Sequence, residues 1–406
     1  MRVLFLSTTF PSDLRTYVHG NFKRMGLFVD ALKGIAHLDM LFYVRPDRDL
    51  SPCAVAKLER AIAEHWDADM SLTLCPKYEP AEPASRWELY GAGALNFFRQ
   101  NGYVTTSGAT QVQAFERCLN RKPDLIFAEK LPSMCPLLLT REPMPPVFFD
   151  LDDIEHVALM RGVDPQSRWR SKLVSYARVP ALCWGERRAI RLARRAFVCS
   201  DSDRTYLARF APLSHLATVP NAVEIGDLLP VTAQPTLLFL GSYWYRPNVE
   251  AAEFLLHEVW PRVRKSMPDA SLIIAGADPE TIRGYKDGMT GVEFPGFVDD
   301  LNGLYRRARA VCAPILSGGG TRVKIIEAAA HGKPVVATKI GAEGLEMRDG
   351  RELLLRDDPA SFAEACLELL KDSSLCERLG RAAHETASRH YDRANIIRLI
   401  QKHVQL

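Results

Sequence analysis

The chain has 406 residues, 47% of them hydrophobic and 25% charged, with a formal net charge of +3. That length exceeds one ordinary core and makes two domains the default, and so small a net charge excludes whole-molecule attraction to nucleic acid. Nine cysteines, none in a C-x-x-C pair and several in apolar strand-like runs (Cys199, Cys312), argue against a disulfide framework or a zinc site and for a reduced cytoplasm.

No stretch approaches the roughly twenty apolar residues of a membrane span. Arg2 to Ser7 reads as a buried strand, since a signal peptide needs a longer apolar core and a small-residue cleavage site. A polar loop containing His19 and Gly20 leads into an amphipathic helix from about Asn21 to Lys33, with Phe22, Met25, Phe28, Val29 and Leu32 at helical spacing. Strand, glycine-bearing loop and helix is the usual opening of a Rossmann-like half. Further strand-like runs lie at Leu38 to Val44, Asp124 to Ala128, Val147 to Asp150, Ala196 to Ser200 and Leu216 to Pro220. Helix-length segments between them imply a parallel sheet covered on both faces, with ligands bound beyond the carboxyl ends of the strands. Residues 76 to 110 fit neither strand nor clean helix throughout and are read as an insertion.

Val147 to His156, V-F-F-D-L-D-D-I-E-H, ends a strand with acids. Asp150-Leu151-Asp152 has the form of the D-x-D of metal-dependent GT-A transferases, and F-F-D-L-D-D imitates the nucleophile motif of haloacid-dehalogenase phosphatases. Both are decoy candidates, because a GT-A chain has no second phosphate loop and a phosphatase of that class usually opens with its aspartate strand. The acids either cap the next helix or face a ligand. From Arg168 to Arg195 the chain is strongly basic, with Trp169, Leu173, Tyr176, Leu182 and Trp184 interleaved. Such a stretch either lies on anionic lipid heads or is a solvated face whose arginines pair elsewhere. Without a recognised nucleic-acid module, nucleic acid ranks below both.

A second alternating set begins with a strand at Pro235 to Gly241, a helix at Asn248 to Lys265 and a strand at Ser271 to Gly276. The densest chemistry follows, between Pro314 and Leu345. After the apolar run Ala310 to Ile315 come Gly318, Gly319 and Gly320, then a helix from Thr321 to His331 ended by Gly332 and Pro334. A loop without Cβ atoms lets backbone N–H groups approach a phosphate, and the positive end of the helix dipole points the same way. Arg322 and Lys324 put two cations in the first helical turn, where they oppose the dipole unless an anion sits there. Lys324 and Glu327 share a face, and Val323, Ile326 and Ala330 line another suited to packing on a sheet. Glu327 is thereby offered to the hydroxyls of a ribose. The plain alternative is a surface helix with a Lys-Glu pair after a flexible loop. Lys333 to Thr338 is the next strand, and the last helix spans Asp392 to His403.

The pattern G-G-G-T-R-x-K-x-x-E-A-x-x-x-G-K-P-V-V-x-T-x-x-G-x-E-G-L closely resembles the nucleotide-sugar site of GT-B glycosyltransferases, in particular retaining family 4 enzymes. The resemblance implies two Rossmann-like, doubly wound parallel-sheet domains facing a cleft. It sets residues 1–222 as an acceptor-side domain and 223–391 as a nucleotide-sugar domain, with 392–406 packing back on the first. V-P-N-A-V-E at Pro220 resembles the segment that closes the first domain of that family. In its E-x7-E motif Glu327 matches the second acid, on the nucleotide ribose, while the first falls at Gly319 and is absent. The family's Arg and Lys after the first strand of the second domain are also missing from G-S-Y-W-Y-R-P-N, Gly241 to Asn248; Arg246 is out of step and Asn248 stands where the Lys would be. This resembles a subgroup in which Arg322 and Lys324 supply the charge.

By the same resemblance Gly20, Gly241, Gly319, Gly320 and Thr321 surround the donor, and Phe297 and Val298, in the loop Gly291 to Asp300, grip the base. Residues 76 to 110 fall near the acceptor side. Asp152 or Asp153 meets the transferring sugar or an acceptor hydroxyl, with Asp152 taken as catalytic beside Arg322 and Lys324. The implied function is retaining transfer of a sugar from a nucleoside diphosphate to a hydroxyl acceptor, in polysaccharide, glycolipid or glycoconjugate synthesis. No cofactor or metal is expected, because the cations and loop amides receive the leaving diphosphate. The expected location is cytoplasmic, with residues 168–195 a contact for the inner membrane surface. A non-catalytic nucleotide-sugar binder, a GT-B epimerase or hydrolase, and an Asp150-centred phosphohydrolase remain the alternatives.

Overall fold

A computed structural model describes residues 1–10, 20–79, 86–163, 169–286 and 288–405. His19 and Arg168 lie outside the described residues. The chain divides into two compact units, Met1–Val219 with Ile397–Leu406, and Pro220–Ile396.

The first unit runs β1 (Arg2–Ser7), α1 (Gly20–Lys33), β2 (His37–Val44), α2 (Pro52–Trp66), β3 (Met70–Pro76), α3 (Arg86–Leu95), α4 (Ala109–Leu119), β4 (Leu125–Glu129), α5 (Leu131–Leu139), β5 (Val147–Asp152), α6 (Glu155–Arg161), α7 (Trp169–Ala177), α8 (Val179–Leu192), β6 (Arg195–Val198), α9 (Asp201–Leu207) and β7 (Leu216–Thr218). Its seven strands are ordered β3-β2-β1-β4-β5-β6-β7, and every pairing is parallel. Strands buried on both faces read as near-continuous apolar runs, as β2 (H-L-D-M-L-F-Y-V) does. Alternate residues serve opposite layers. Leu4, Leu6, Ile126, Ala128 and Phe149 join the core under α4, α5 and α8. On the other face Phe5 stacks on Phe127 (centroids 5.2 Å), which meets Phe28 of α1 at 4.7 Å.

The second unit follows with β8 (Thr236–Leu240), α10 (Arg246–Phe254), α11 (Trp260–Ser266), β9 (Ser271–Ala275), β10 (Val292–Gly296), α12 (Leu301–Arg307), β11 (Ala310–Ala313), α13 (Val323–Ala330), β12 (Val335–Ala337), β13 (Leu354–Leu355), α14 (Pro359–Lys371), α15 (Ser373–His390) and α16 (Arg393–Val404), whose later residues belong to the first unit. Its six strands are ordered β10-β9-β8-β11-β12-β13, again all parallel. Leu237, Phe239 and Ile274 pack with Phe254, Val259 and Phe362 on one face. Leu238, Ile273 and Val311 pack with Ile325, Ile326 and Ala383 on the other. Both units are therefore doubly wound Rossmann-like sheets, the GT-B class of fold.

Four details differ from the sequence reading. Met70–Pro76 is an additional edge strand, because alternating burial gives it only a half-apolar pattern. Within residues 76–110, Arg86–Leu95 is helical. Val292–Gly296, assigned to a loop, is an edge strand of the second unit's sheet, where Pro295 is tolerated and the register with β9 shifts. The helix expected from Asn248 starts at Arg246 and loosens into a wide turn at Leu255–Val259, before Pro261.

Candidate functional site

In each sheet the strand order reverses direction at one point, between β1 and β4 and between β8 and β11. Connections leave in opposite directions there, and the crevice beyond the carboxyl ends is the general ligand site of such sheets. In the second unit that point is framed by the loop after β8, Gly241 to Tyr245, and the loop after β11, Pro314 to Arg322.

Gly318 and Gly320 have φ of 95° and 70°, the left-handed region that favours glycine. A Cβ on Gly318 would also stand 3.0 Å from the Tyr245 hydroxyl and 3.4 Å from Pro247, so the two loops touch at this residue. Among the described residues no acceptor takes the N–H of Gly319, Gly320 or Thr321. Buried amides are ordinarily paired, so this row of donors is suited to an anion.

The helix is shorter than expected, Val323–Ala330, with Arg322 as its extended N-cap residue (φ −87°, ψ 98°) rather than part of its first turn. Arg322 folds back and braces the loop, donating through Nη1 to Gly319 O and through Nη2 to Ser317 O at 3.4 Å, while its Nε is buried with no partner among the described residues. Lys324 donates to Asn248 Oδ1 at 2.8 Å and lies 4.5 Å from the Phe239 ring centroid. Burial, reinforced by Arg322 and opposed by Glu327, pulls its pKa down to about 7. The apolar face is wider than predicted, burying Ile325, Ala328 and Ala329 beside Ile326 and Ala330, with Val323 partly buried.

Around this loop stand residues the sequence reading placed and one it used only as a boundary mark. Gly241 packs on Asn248, whose carboxamide a Cβ at Gly241 would meet at 3.0 Å. Asn221 Nδ2 donates to Thr321 Oγ1 at 2.8 Å, which fixes the end of the loop. Gly276 (φ 146°) meets Gly241 so closely that a Cβ would lie 1.5 Å from the Gly241 carbonyl oxygen. The turn after β12 is held to the same edge, since Thr338 Oγ1 donates to Ile315 O and accepts from Gly341 N at 2.9 Å. Phe297, 42% exposed, and Val298 follow β10, at the end of the sheet's other edge strand.

The remaining candidates belong to the first unit. Gly20 is the first helical residue of α1. Asp152 is nearly buried, with φ 61°, next to a register shift in β5. Arg24 makes a bidentate contact with Asp150 (2.8 and 2.5 Å) and reaches Asp152 at 3.2 Å; Lys130, also at positive φ, reaches Asp152 at 3.5 Å. Burial works against the Asp152 carboxylate, but Lys130 and Arg24 outweigh it and hold its pKa below the usual range. Asp152 is thus a paired anion at a strained backbone position, the kind of place where function is stored. Ser7 donates to buried Glu129, whose pKa burial pushes up to about 7 against Lys130 and Ser7. Sequence reasoning missed Arg24 and Glu129: one hides in an amphipathic helix, the other ends a strand with no motif. Among the described residues no cluster of His, Cys, Asp and Glu is arranged to hold a metal ion.

Residues 234–372 match the family model described as glycosyl transferases group 1. That segment is a glycosyl transferases group 1 domain. A phosphatidyl-myo-inositol mannosyltransferase of Mycobacterium leprae is 32% identical over 192 residues, 44% of this chain and 50% of that protein. A glycogen synthase of Mycobacterium tuberculosis is 26% identical over 220 residues, 50% of this chain and 52% of that one. The chain spans about half the length of these curated relatives. Among solved structures, a sucrose-phosphate synthase from Thermosynechococcus elongatus aligns with TM-score 0.67 and 17% identity over 99% of this chain and 97% of that one. Anabaena HepE in complex with UDP and glucose aligns with TM-score 0.63 and 15% identity over 100% and 99%. At these identities the structural likeness speaks for the fold.

Proposed function

We propose that the protein is a retaining glycosyltransferase that moves a sugar from a nucleoside diphosphate to a hydroxyl acceptor. The observation that carries the reading is the row of amides at Gly319 to Thr321 with no acceptor among the described residues, followed in the first turn of α13 by Lys324, at the switch point of the second sheet. The negative charge that grows on a departing diphosphate is what such a constellation stabilises, each donor by about 2.7 to 4 kcal/mol. Arg322 shapes the loop and adds positive potential. Glu327, one turn along α13, suits the ribose hydroxyls, and Phe297 and Val298 the base. If the acceptor attacks on the face the diphosphate leaves, no protein nucleophile is required and the anomeric configuration is retained. Loop and cations supply the positive charge, so transfer is expected to persist in EDTA.

A lipid-linked or polysaccharide acceptor is favoured by a second feature. Trp169 (67% exposed), Leu173, Tyr176 and Trp184 stand out from α7 and α8 among basic residues, with Arg170 and Arg188 over the Trp169 and Trp184 rings. Aromatics beside arginines are suited to an anionic membrane surface. The mycobacterial relative is named a phosphatidyl-myo-inositol mannosyltransferase. No helix among the described residues is long and apolar enough to cross a membrane.

The test is thermal unfolding with UDP, GDP, ADP and CMP, followed by transfer from the matching sugar nucleotide. A bound nucleotide at a hundred times its Kd stabilises by about 2.7 kcal/mol. Stabilisation by one nucleoside diphosphate, lost in Lys324→Ala, is the expected result. Absence of any stabilisation overturns the reading, and binding without transfer to any acceptor would leave a nucleotide-sugar binder, the alternative that Gly319 in place of the first acid favours.

A further inference from the structure

Lys324 is held by a residue outside the glycine loop. Asn248, in the first turns of α10, accepts from Lys324 Nζ through Oδ1 at 2.8 Å and donates through Nδ2 to Ser242 O at 3.0 Å. A backbone carbonyl can only accept, so the contact with Ser242 fixes the carboxamide with its oxygen toward the lysine. The backbone N–H of Asn248 donates to Tyr245 O at 2.9 Å, and Gly241 packs against its side chain. Asn248 therefore joins three parts of one unit: the loop after β8, the start of α10 and the cation of α13.

We propose that Asn248 is the positioning residue of the diphosphate site, presetting the Lys324 ammonium between the loop after β8 and the Phe239 ring before a donor arrives. The inference rests on reading the glycine loop as that site. An ammonium has three N–H donors; Asn248 takes one and the Phe239 face lies on another side, so the rest are available to phosphate oxygens. A flexible lysine loses rotamer freedom on binding, and a side chain already held in place spares the complex that cost.

The carboxamide also favours the protonated form of Lys324, because a hydrogen bond accepted from the charged state stabilises it. The charges acting on Lys324 are Arg322, which disfavours its proton, and Glu327, which favours it. Of the elements around it, α10 brings Arg246 and Glu250, paired with each other at 2.6 Å, and Glu253, which accepts from the Arg283 backbone; α12 brings Tyr305, beside Glu327; β8 brings none. A diphosphate arriving at this nitrogen draws a proton onto it whenever the solution is above about pH 7.

The test is calorimetric titration of the full chain with UDP and with GDP from about pH 6 to pH 9, on the wild type, Asn248→Ala and Asn248→Asp. Wild-type affinity should fall as pH rises through about 7, with proton uptake on the alkaline side. Asn248→Ala should weaken binding about tenfold or more, the worth of a hydrogen bond to a charged group, and move the falling limb to lower pH. Asn248→Asp, close in shape, should move that limb to higher pH. Equal affinity in the alanine variant, or weaker binding with an unmoved limb in both variants, overturns the inference, the second outcome marking a merely structural residue. Failure of the wild type to bind UDP, GDP, ADP or CMP removes the site reading and this inference with it.

Discussion

The Asn221 side-chain amide donates to the Thr321 hydroxyl across 2.8 Å, both residues being nearly buried, so the first residues of the second unit brace the end of its glycine loop. Asn221→Ala would leave that hydroxyl without this donor and let the loop relax. Nucleoside diphosphate affinity should fall about five- to tenfold, the worth of about 1 kcal/mol. Titration of Asn221→Ala, Thr321→Val and the double variant checks it: the two single losses should sum to more than the double shows.

Lys324 and Glu327 occupy one face of α13 but serve different parts of the proposed donor. Lys324→Ala should lower kcat by about two to three orders of magnitude with the fold intact, as for loss of one donor to a developing anion. Arg322→Ala should act similarly, with a larger rise in KM because the guanidinium also braces Gly319. Glu327→Ala should mainly weaken nucleotide binding. Steady-state kinetics with circular dichroism separates the three, and near-normal kinetics in all of them would remove the assignment.

In the first unit the Arg24 guanidinium and the Asp150 carboxylate are both almost fully buried, and Arg24 also donates to Val219 O at 3.0 Å. Removing one member of such a pair strands the other, at a cost of about 3 to 5 kcal/mol. Arg24→Met should therefore lower the denaturation midpoint sharply, whereas a joint Arg24→Met, Asp150→Leu replacement should recover much of the loss. Equilibrium unfolding in urea measures both.

Glu129 gives the first unit a pH dependence of definite sign. Its folded pKa of about 7 lies above the ordinary carboxylate value, so its contribution is fully present below about pH 4.5 and is lost as pH rises through about 7. Glu155, likewise raised to about 7 by burial, adds to the same slope. Glu129→Gln removes one of the two titrations. The variant should gain thermal stability relative to the wild type between about pH 5 and pH 8, and melting curves across that range check it.

The two sheets were legible because fully buried parallel strands such as β1, β2 and β8 are uninterrupted apolar runs between glycine- or acid-bearing loops. Edge strands β3 and β10 were not, since half-exposed residues and Pro295 blur the signal. At the candidate site, Gly318 to Thr321, Lys324 and Glu327 announced themselves because glycines, misplaced cations and an acid coincide within ten residues. Asn221 and Arg24 did not, and Asn248 was marked only as standing where the family's Lys would be, because each acts on a group far along the chain: 100, 126 and 76 residues away, respectively. A side chain whose purpose lies with a remote partner leaves no local pattern to read.

The cysteines distribute usefully between the two units. Cys53 on α2 is exposed and Cys183 half-buried, while Cys75, Cys118, Cys135 and Cys199 are sealed in the first core and Cys312, Cys366 and Cys376 in the second. A thiol-reactive label applied to the native protein therefore decorates α2 first and leaves both interiors untouched. As either half melts it releases its own set of sulfurs, so peptide mapping after brief alkylation reports which half opens first without any engineered probe.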